Sequence, residues 1–250
     1  TAKRYFSLRN TLIALPTLSF LFLIGQFFLT DSLLNKLEAI PTTYLSSNST
    51  AASAAAGTLI SALSSNGFTL GSSALVNNSG DSYVAWNWKC GTTSGCYIQS
   101  YTGTGVARTI SHSLGATPAF MMFKRTDTAG NDWRVYHQSV GNVNSLFLNS
   151  TAAATNMGSW NNTSPTASTI SLGTDNGVNT NGSTYQAYLF AEKSGFSKFG
   201  SYTGNGSADG PFVYTGFKPR YILTYRSSLG SNWTIWDTSR NTGNPITTIL

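Results

Sequence analysis

After Pro41 the chain runs in short stretches of Tyr, Phe, Val, Ile and Thr, separated by clusters of Gly, Asn, Ser and Thr. That alternation predicts strands and turns, because β-branched and aromatic residues fit a pleated surface and the intervening residues suit turns. Few stretches offer the 3.6 period of an amphipathic helix. From Asp81 to Trp88 the pattern has period two, with Tyr83, Ala85 and Asn87 on one side and Val84, Trp86 and Trp88 on the other. Its later counterpart, Thr184 to Ala191, is apolar almost throughout, which predicts a strand buried on both faces.

Residues 1–40 have another texture. No charge lies between Arg9 and Asp31, and the run LIALPTLSFLFLIGQFFL is strongly apolar. A transmembrane helix spanning residues 10–30 fits its length, with Lys3, Arg4 and Arg9 on the cytoplasmic flank. A signal peptide fits the basic start, but no small-x-small cleavage site follows cleanly. A diverged repeat strand fits a shift of 102, which lays Pro16 on Pro118, and this reading is preferred over membrane insertion. A junction unrelated to the rest is the remaining reading.

The chain repeats itself. SYTGTG at Ser100 to Gly105 returns as SYTGNG at Ser201 to Gly206, a shift of 101. Gly115 and Pro118 return as Gly216 and Pro219, Phe120-Met121-Met122 as Tyr221-Ile222-Leu223, and Arg125 as Arg226. Trp133 and Tyr136 match Trp233 and Trp236 at a shift of 100. In the other half of the unit, GFTLG at Gly67 matches TISLG at Thr169, and Gly80, Tyr83 and Ala85 match Gly182, Tyr185 and Ala187, at a shift of 102. Landmarks in constant order at a near-constant shift define a repeat. The recurring residues are glycines for turns, and prolines that open apolar runs, where a missing N–H costs little. The expected class is all-β: tandem antiparallel β-sandwiches, jelly-roll-like, of about one hundred residues each, with roughly seven or eight strands per unit. The expected division is an apolar segment 1–30, a partial unit 31–96, a complete unit 97–195 and a truncated unit 196–250, as though cut from a longer array.

Composition narrows function. Charged residues make up 10% of the chain and aromatic residues 13%, which excludes disorder by composition. The net charge of +6 is thinly spread, and Lys124-Arg125 is the only basic pair after Pro41, so no nucleic-acid groove is expected. Cys90 and Cys96 sit in CGTTSGC; a disulfide-closed loop and a pair of free thiols both fit, with free thiols slightly preferred. Zinc needs four ligands, and the only histidines are His112 and His137, so no metal or cofactor is expected. After Pro41 the acids are Asp81, Asp127, Asp132, Asp175, Glu192, Asp209 and Asp237, and they form no familiar catalytic motif. The elbow, P-loop and zincin signatures are also missing, so no catalytic residue is assigned and no enzyme is expected. Trp133, Tyr136, Trp233 and Trp236 are the candidates for stacking a sugar, and core packing is the competing use. Their odd spacing puts the two members of each pair on opposite strand faces. Asn-x-Ser/Thr sequons such as those at Asn149 and Asn205 follow from composition.

The stretches NGFTLGSSALVNNSGDSYVAWNWK and FAEKSGFSKFGSYTGNGSADGPFVYTGFKPRYIL, together with SYTGTG, resemble a repeat domain of marine bacteriophage structural proteins, commonly tail-fibre-like or virion proteins. The likeness covers about Tyr44 to Leu250 and brings no established catalytic residues. In that family, copies often follow a lectin-like or SPRY-like β-sandwich. The segment joining WNWK to the next SYTG is shorter here and holds both cysteines, so no loop function carries over to residues 89–97. The resemblance implies a virion component assembled in the host cytoplasm. Its partners would be other virion subunits, as a homo-oligomer, and a host-surface glycan or outer-membrane component. The alternatives are an architectural spacer without a ligand, or an accessory carbohydrate-binding module of a larger enzyme.

Overall fold

The computed structural model describes residues 43–239. The apolar segment 1–30, with the membrane, signal and repeat-strand readings attached to it, lies outside the described residues, as does the C-terminal ITTIL. No helix among the described residues is long and apolar enough to cross a membrane. The protein is all-β: among the described residues its strands pair antiparallel in several sheets, and the helices are single turns. The first two strands, β1 (Thr43–Tyr44) and β2 (Ala54–Ala55), form a two-residue ladder. The described residues fall into two compact units, one of Thr43 and Ala55–Tyr83, the other of Tyr44–Ala54 and everything from Val84 onward.

The smaller unit is a hairpin followed by a turn of helix. β3 (Ile60–Ser64) pairs with β4 (Gly67–Leu70) across the two-residue turn Ser65-Asn66. The helical turn α1 (Ala74–Asn77) is capped by Ser73, whose hydroxyl accepts from the Leu75 N–H. Tyr83 clamps this turn from both ends: its hydroxyl donates to the Ala74 carbonyl at 2.9 Å and accepts from the Asn78 N–H at 3.0 Å.

The larger unit holds residues 97–195, the stretch that the sequence pattern marks as a complete copy of the repeat and that is called the complete copy below. Its strands are β5 (Cys96–Thr102), β6 (Arg108–Ser111), β7 (Phe120–Arg125), β8 (Arg134–His137), β9 (Leu146–Phe147), β10 (Thr169–Leu172) and β11 (Thr184–Phe190). Five of them form a sheet in the order β5-β11-β7-β8-β9, and β6 pairs with β10 in a second layer. One core fills the space between the layers. β11 contributes Tyr185, Ala187 and Leu189, β7 contributes Met121 and Phe123, β10 contributes Ile170 and Leu172, and Trp160 closes the middle. Each fully buried side chain of this size stabilises the fold by roughly 1.5–3 kcal/mol. Beyond the complete copy, β12 (Tyr221–Thr224) pairs with β13 (Thr234–Asp237).

β11 is an interior strand, bonded on both sides, as the near-continuous apolar run from Thr184 requires, but its faces differ. Tyr185, Ala187 and Leu189 are buried, whereas Gln186, Tyr188 and Phe190 on the other face are half-buried. The expected strand at Asp81–Trp88 is a correction: these residues join no ladder. Period-two alternation shapes a strand but cannot supply the neighbour it bonds to.

The repeat reappears as shared local geometry. The helical turn α2 (Asn176–Asn179) stands 102 residues after α1, capped by Asp175 where α1 has Ser73. Tyr185 repeats the clamp of Tyr83, donating to the Asn176 carbonyl at 2.7 Å and accepting from the Thr180 N–H at 2.8 Å. The glycine before each turn is required by close approach. A Cβ on Gly71 would lie 1.8 Å from the Thr58 carbonyl oxygen, and one on Gly173 would lie 1.8 Å from that of Gly158. No L side chain fits either gap, so the backbone must move. We therefore expect Gly173→Ala to destabilise the chain by more than about 1 kcal/mol, measured as a shift in the urea unfolding midpoint, with Gly182→Ala as a comparison where no atom is in the way but φ is +74°.

Candidate functional site

The four recurring aromatic residues are engaged in packing to different degrees. Trp133 precedes β8 and is 4% exposed; its indole N–H donates to the Ser46 carbonyl at 3.0 Å. Tyr136 lies on β8, is also 4% exposed, and meets Trp160 edge-on at 5.7 Å in the core between the layers. Trp233 is half-buried, stacks on Tyr225 at 4.6 Å, and donates its indole N–H to the Phe147 carbonyl at 2.7 Å. Trp236 is half-buried on β13, opposite Ile222. Trp133 and Tyr136 occupy opposite faces of the five-stranded sheet, as their spacing requires. Trp160, the largest side chain at the middle of the core, has no counterpart in the repeat pattern, which is why sequence reasoning passed over it.

The outer face of that sheet is also apolar. Phe120, Val135 and Leu146 are buried there, with Met122, Phe190, Phe199, Leu223 and Trp233 packed around them. Phe120 stacks on Phe199 at 5.7 Å, nearly parallel. Beside this cluster lies a cavity of about 230 Å³, lined by Trp88, Ile98, Met122, Trp133, Tyr188 and Phe190 among others. Its walls are almost wholly apolar, so it offers no set of polar groups to orient a substrate. Cys96 also lines it and is joined to Cys90 by a disulfide, the Cα atoms 4.5 Å apart. The slight preference for free thiols is thus corrected: the turn Gly91–Gly95 brings the chain back on itself, with the Gly91 N–H bonded to the Cys96 carbonyl at 2.7 Å.

Most of the buried polar side chains are tied into structural bonds, while Gln99 Nε2, Arg108 Nε and Arg134 Nη1 are buried without a hydrogen-bond partner among the described residues. Arg134 grips Asp175 through Nε to Oδ2 at 2.7 Å and Nη2 to Oδ1 at 3.2 Å, with both side chains nearly inaccessible. The same carboxylate accepts from the Ser159 hydroxyl at 2.5 Å and caps α2 through the Gly177 N–H at 2.9 Å. Arg134 also lies over the Phe147 ring at 5.0 Å. Such a carboxylate has no free lone pair aimed at a substrate. Lys124 is fully buried and donates to the Asn131 carbonyl at 2.6 Å; burial lowers its pKa, opposed by the Asp132 carboxylate. Asp127 pairs with Arg125, Glu192 with Lys198, and Asp132 accepts from Asn149. Among the described residues no group of three or more His, Cys, Asp or Glu side chains could hold a metal ion.

His112 is buried beside the core. Nε2 lies 3.2 Å from the Thr166 carbonyl, and Nδ1 accepts from the Leu114 N–H at 3.3 Å. The neutral ring satisfies both bonds, with its proton on Nε2. Burial lowers the His112 pKa, opposed by the Thr166 carbonyl. His137 is shifted the same way by burial, opposed by Glu192.

A family model described as a domain of unknown function, DUF7483, matches residues 31–250. No curated protein matches the chain. No solved structure matches it.

Breaking the buried Arg134–Asp175 pair leaves one charge uncompensated, so Asp175→Ala should cost about 3–5 kcal/mol in unfolding free energy. Ser73→Ala, at the corresponding half-buried cap, should cost about 1 kcal/mol. Because the folded-state pKa of each histidine is depressed, their contribution is complete above the unfolded value of about 6.5 and is lost as the pH falls through the lower folded value. The urea midpoint should therefore fall between pH 7.5 and pH 5, and His112→Gln should flatten that fall.

Proposed function

The chain belongs to this family of unknown function, and we propose that it serves as a structural, non-catalytic module of a phage virion, of the tail-fibre-like kind. The observation that carries this reading is the use made of the recurring tryptophans. Trp133 and Trp233 each spend the indole N–H on a backbone carbonyl of another copy of the repeat, Ser46 and Phe147 respectively. The residues that recur most clearly thus hold copies together. Titratable groups bound in caps and ion pairs support the same reading, since catalysis needs them free and convergent. The resemblance of the repeat to phage structural proteins supplies the setting: a virion assembled in the host cytoplasm, with other virion subunits as partners.

Attachment to host glycan or outer-membrane material is a second reading, favoured by exposed rings. Phe212, Tyr214 and Tyr202 are 90%, 77% and 57% exposed, and flat aromatic faces suit sugar stacking. Repetition would raise weak sites to useful avidity.

Mass spectrometry of gradient-purified particles should recover peptides of this chain in a fixed ratio to the major capsid protein. Recovery from the infected-cell lysate alone would overturn the virion assignment. The chain displayed multivalently on a glycan array decides the second reading: binding lost on Phe212→Ala and Tyr214→Ala supports attachment, and silence leaves the module purely architectural.

A further inference from the structure

Among the described residues β12 has one ladder neighbour where its counterpart has two. β7 is bonded on one side to β8 and on the other to β11, with Phe120 opposite Phe190 and Met122 opposite Tyr188. β12 corresponds to β7 at a shift of 101 and is bonded to β13, which corresponds to β8. The sequence that corresponds to β11 is Ser82–Trp88, which comes before the complete copy.

The rings of that earlier segment lie against β12. Trp88 meets Tyr221 edge-on at 6.4 Å, and Trp86 meets Tyr221 at 5.6 Å. Trp88 corresponds to Phe190 and Tyr221 to Phe120, and in the complete copy those two rings stand 5.9 Å apart. Residues on either side of the complete copy therefore repeat a contact made within it. In an open array each copy meets only its neighbours in sequence, so this contact between first and third copies has no place there.

The backbone ties agree. Trp133 and Thr126 of the complete copy bond to Ser46 and Ser53, through Nε1 to the Ser46 oxygen at 3.0 Å and the Ser53 N–H to the Thr126 oxygen at 3.0 Å. Trp233 and Ser227 of the last copy bond to Phe147 and Ala154 in the corresponding way, at 2.7 and 2.9 Å. If 44–54 and 196–239 belong to one body, the two sets are reciprocal, as across a two-fold axis.

We propose that Val84–Trp88 lies along the open edge of β12 in the side-chain order that β11 has beside β7, with Trp86 beside Leu223 and Trp88 beside Tyr221, held by ring contacts and not by a backbone ladder. The sheet edge after the complete copy is then covered by chain from before it, and the repeats form a closed pseudo-two-fold pair instead of an open array. The partner of this sheet edge is a segment of the same chain. The inference goes beyond the virion reading and stands or falls separately from it.

Cysteines at Ala85 and Thr224 test it, since these positions correspond to Ala187 and Phe123, which face each other in the β11–β7 ladder. The full-length A85C/T224C chain is oxidised mildly and mapped by peptide mass spectrometry, which separates the new link from Cys90–Cys96. T102C/T184C, a directly opposed pair of the β5–β11 ladder, is the positive control. The expected result is a link between 85 and 224 within single chains, at a yield comparable to the control. A control that links while 85–224 does not, or links only between chains, overturns the proposal. A second readout guards against a misfolded variant: Trp88→Ala and Tyr221→Ala are combined and their urea midpoints compared. The double variant should unfold no more easily than the worse single one, and fully additive losses count against the contact.

Discussion

The complete copy depends on β11. Its backbone bonds to β5 on one side and β7 on the other, so removing it would leave two unpaired edges. Its Tyr185, Ala187 and Leu189 reach the core shared with β10, and its Tyr188 and Phe190 reach the outer apolar face. The Tyr185 hydroxyl then fixes α2, where Asp175 meets Arg134 from β8. One strand thus links the sheet ladder, both apolar layers and the buried ion pair. Buried backbone groups must be bonded, so a strand at this position orders everything beside it.

The ion pair shows what differs between copies. Asp175 is matched by Ser73 in the first copy and Arg134 by Thr234 in the last, so neither flanking copy can form the pair. A buried charge without its partner is costly, whereas a neutral pair is tolerated. The charge network therefore belongs to the complete copy alone. The glycine close approach, the tyrosine clamp and the indole ties are shared. Features that shape the backbone are kept in both copies, and features that fill one core are not.

Much of the fold was legible. The repeat shift matched the stretches that form β4 and β10, Pro118 and Pro219 preceded β7 and β12 by two residues, and the apolar run from Thr184 marked an interior strand of the sheet. The opposite facing of Trp133 and Tyr136 followed from their spacing. The candidate site was less legible. Spacing shows which face an indole occupies but not that its N–H is used by a carbonyl 87 residues away. Trp160, Lys124 and the Arg134–Asp175 pair were missed because their burial arises from segments distant in sequence.

The amino-acid sequence by itself determined the all-β class, the repeat unit, its turns and the faces of its strands. These are local properties, set by side-chain period and by backbone conformations open to glycine and proline. Only the tertiary structure decided the order β5-β11-β7-β8-β9, the joining of Cys90 to Cys96 and the use of the tryptophans as ties. It also decided that Asp81–Trp88, for all its alternation, joins no ladder while Thr184–Phe190 joins two. A strand is defined by the partner beside it, and that partner is chosen by how distant segments pack.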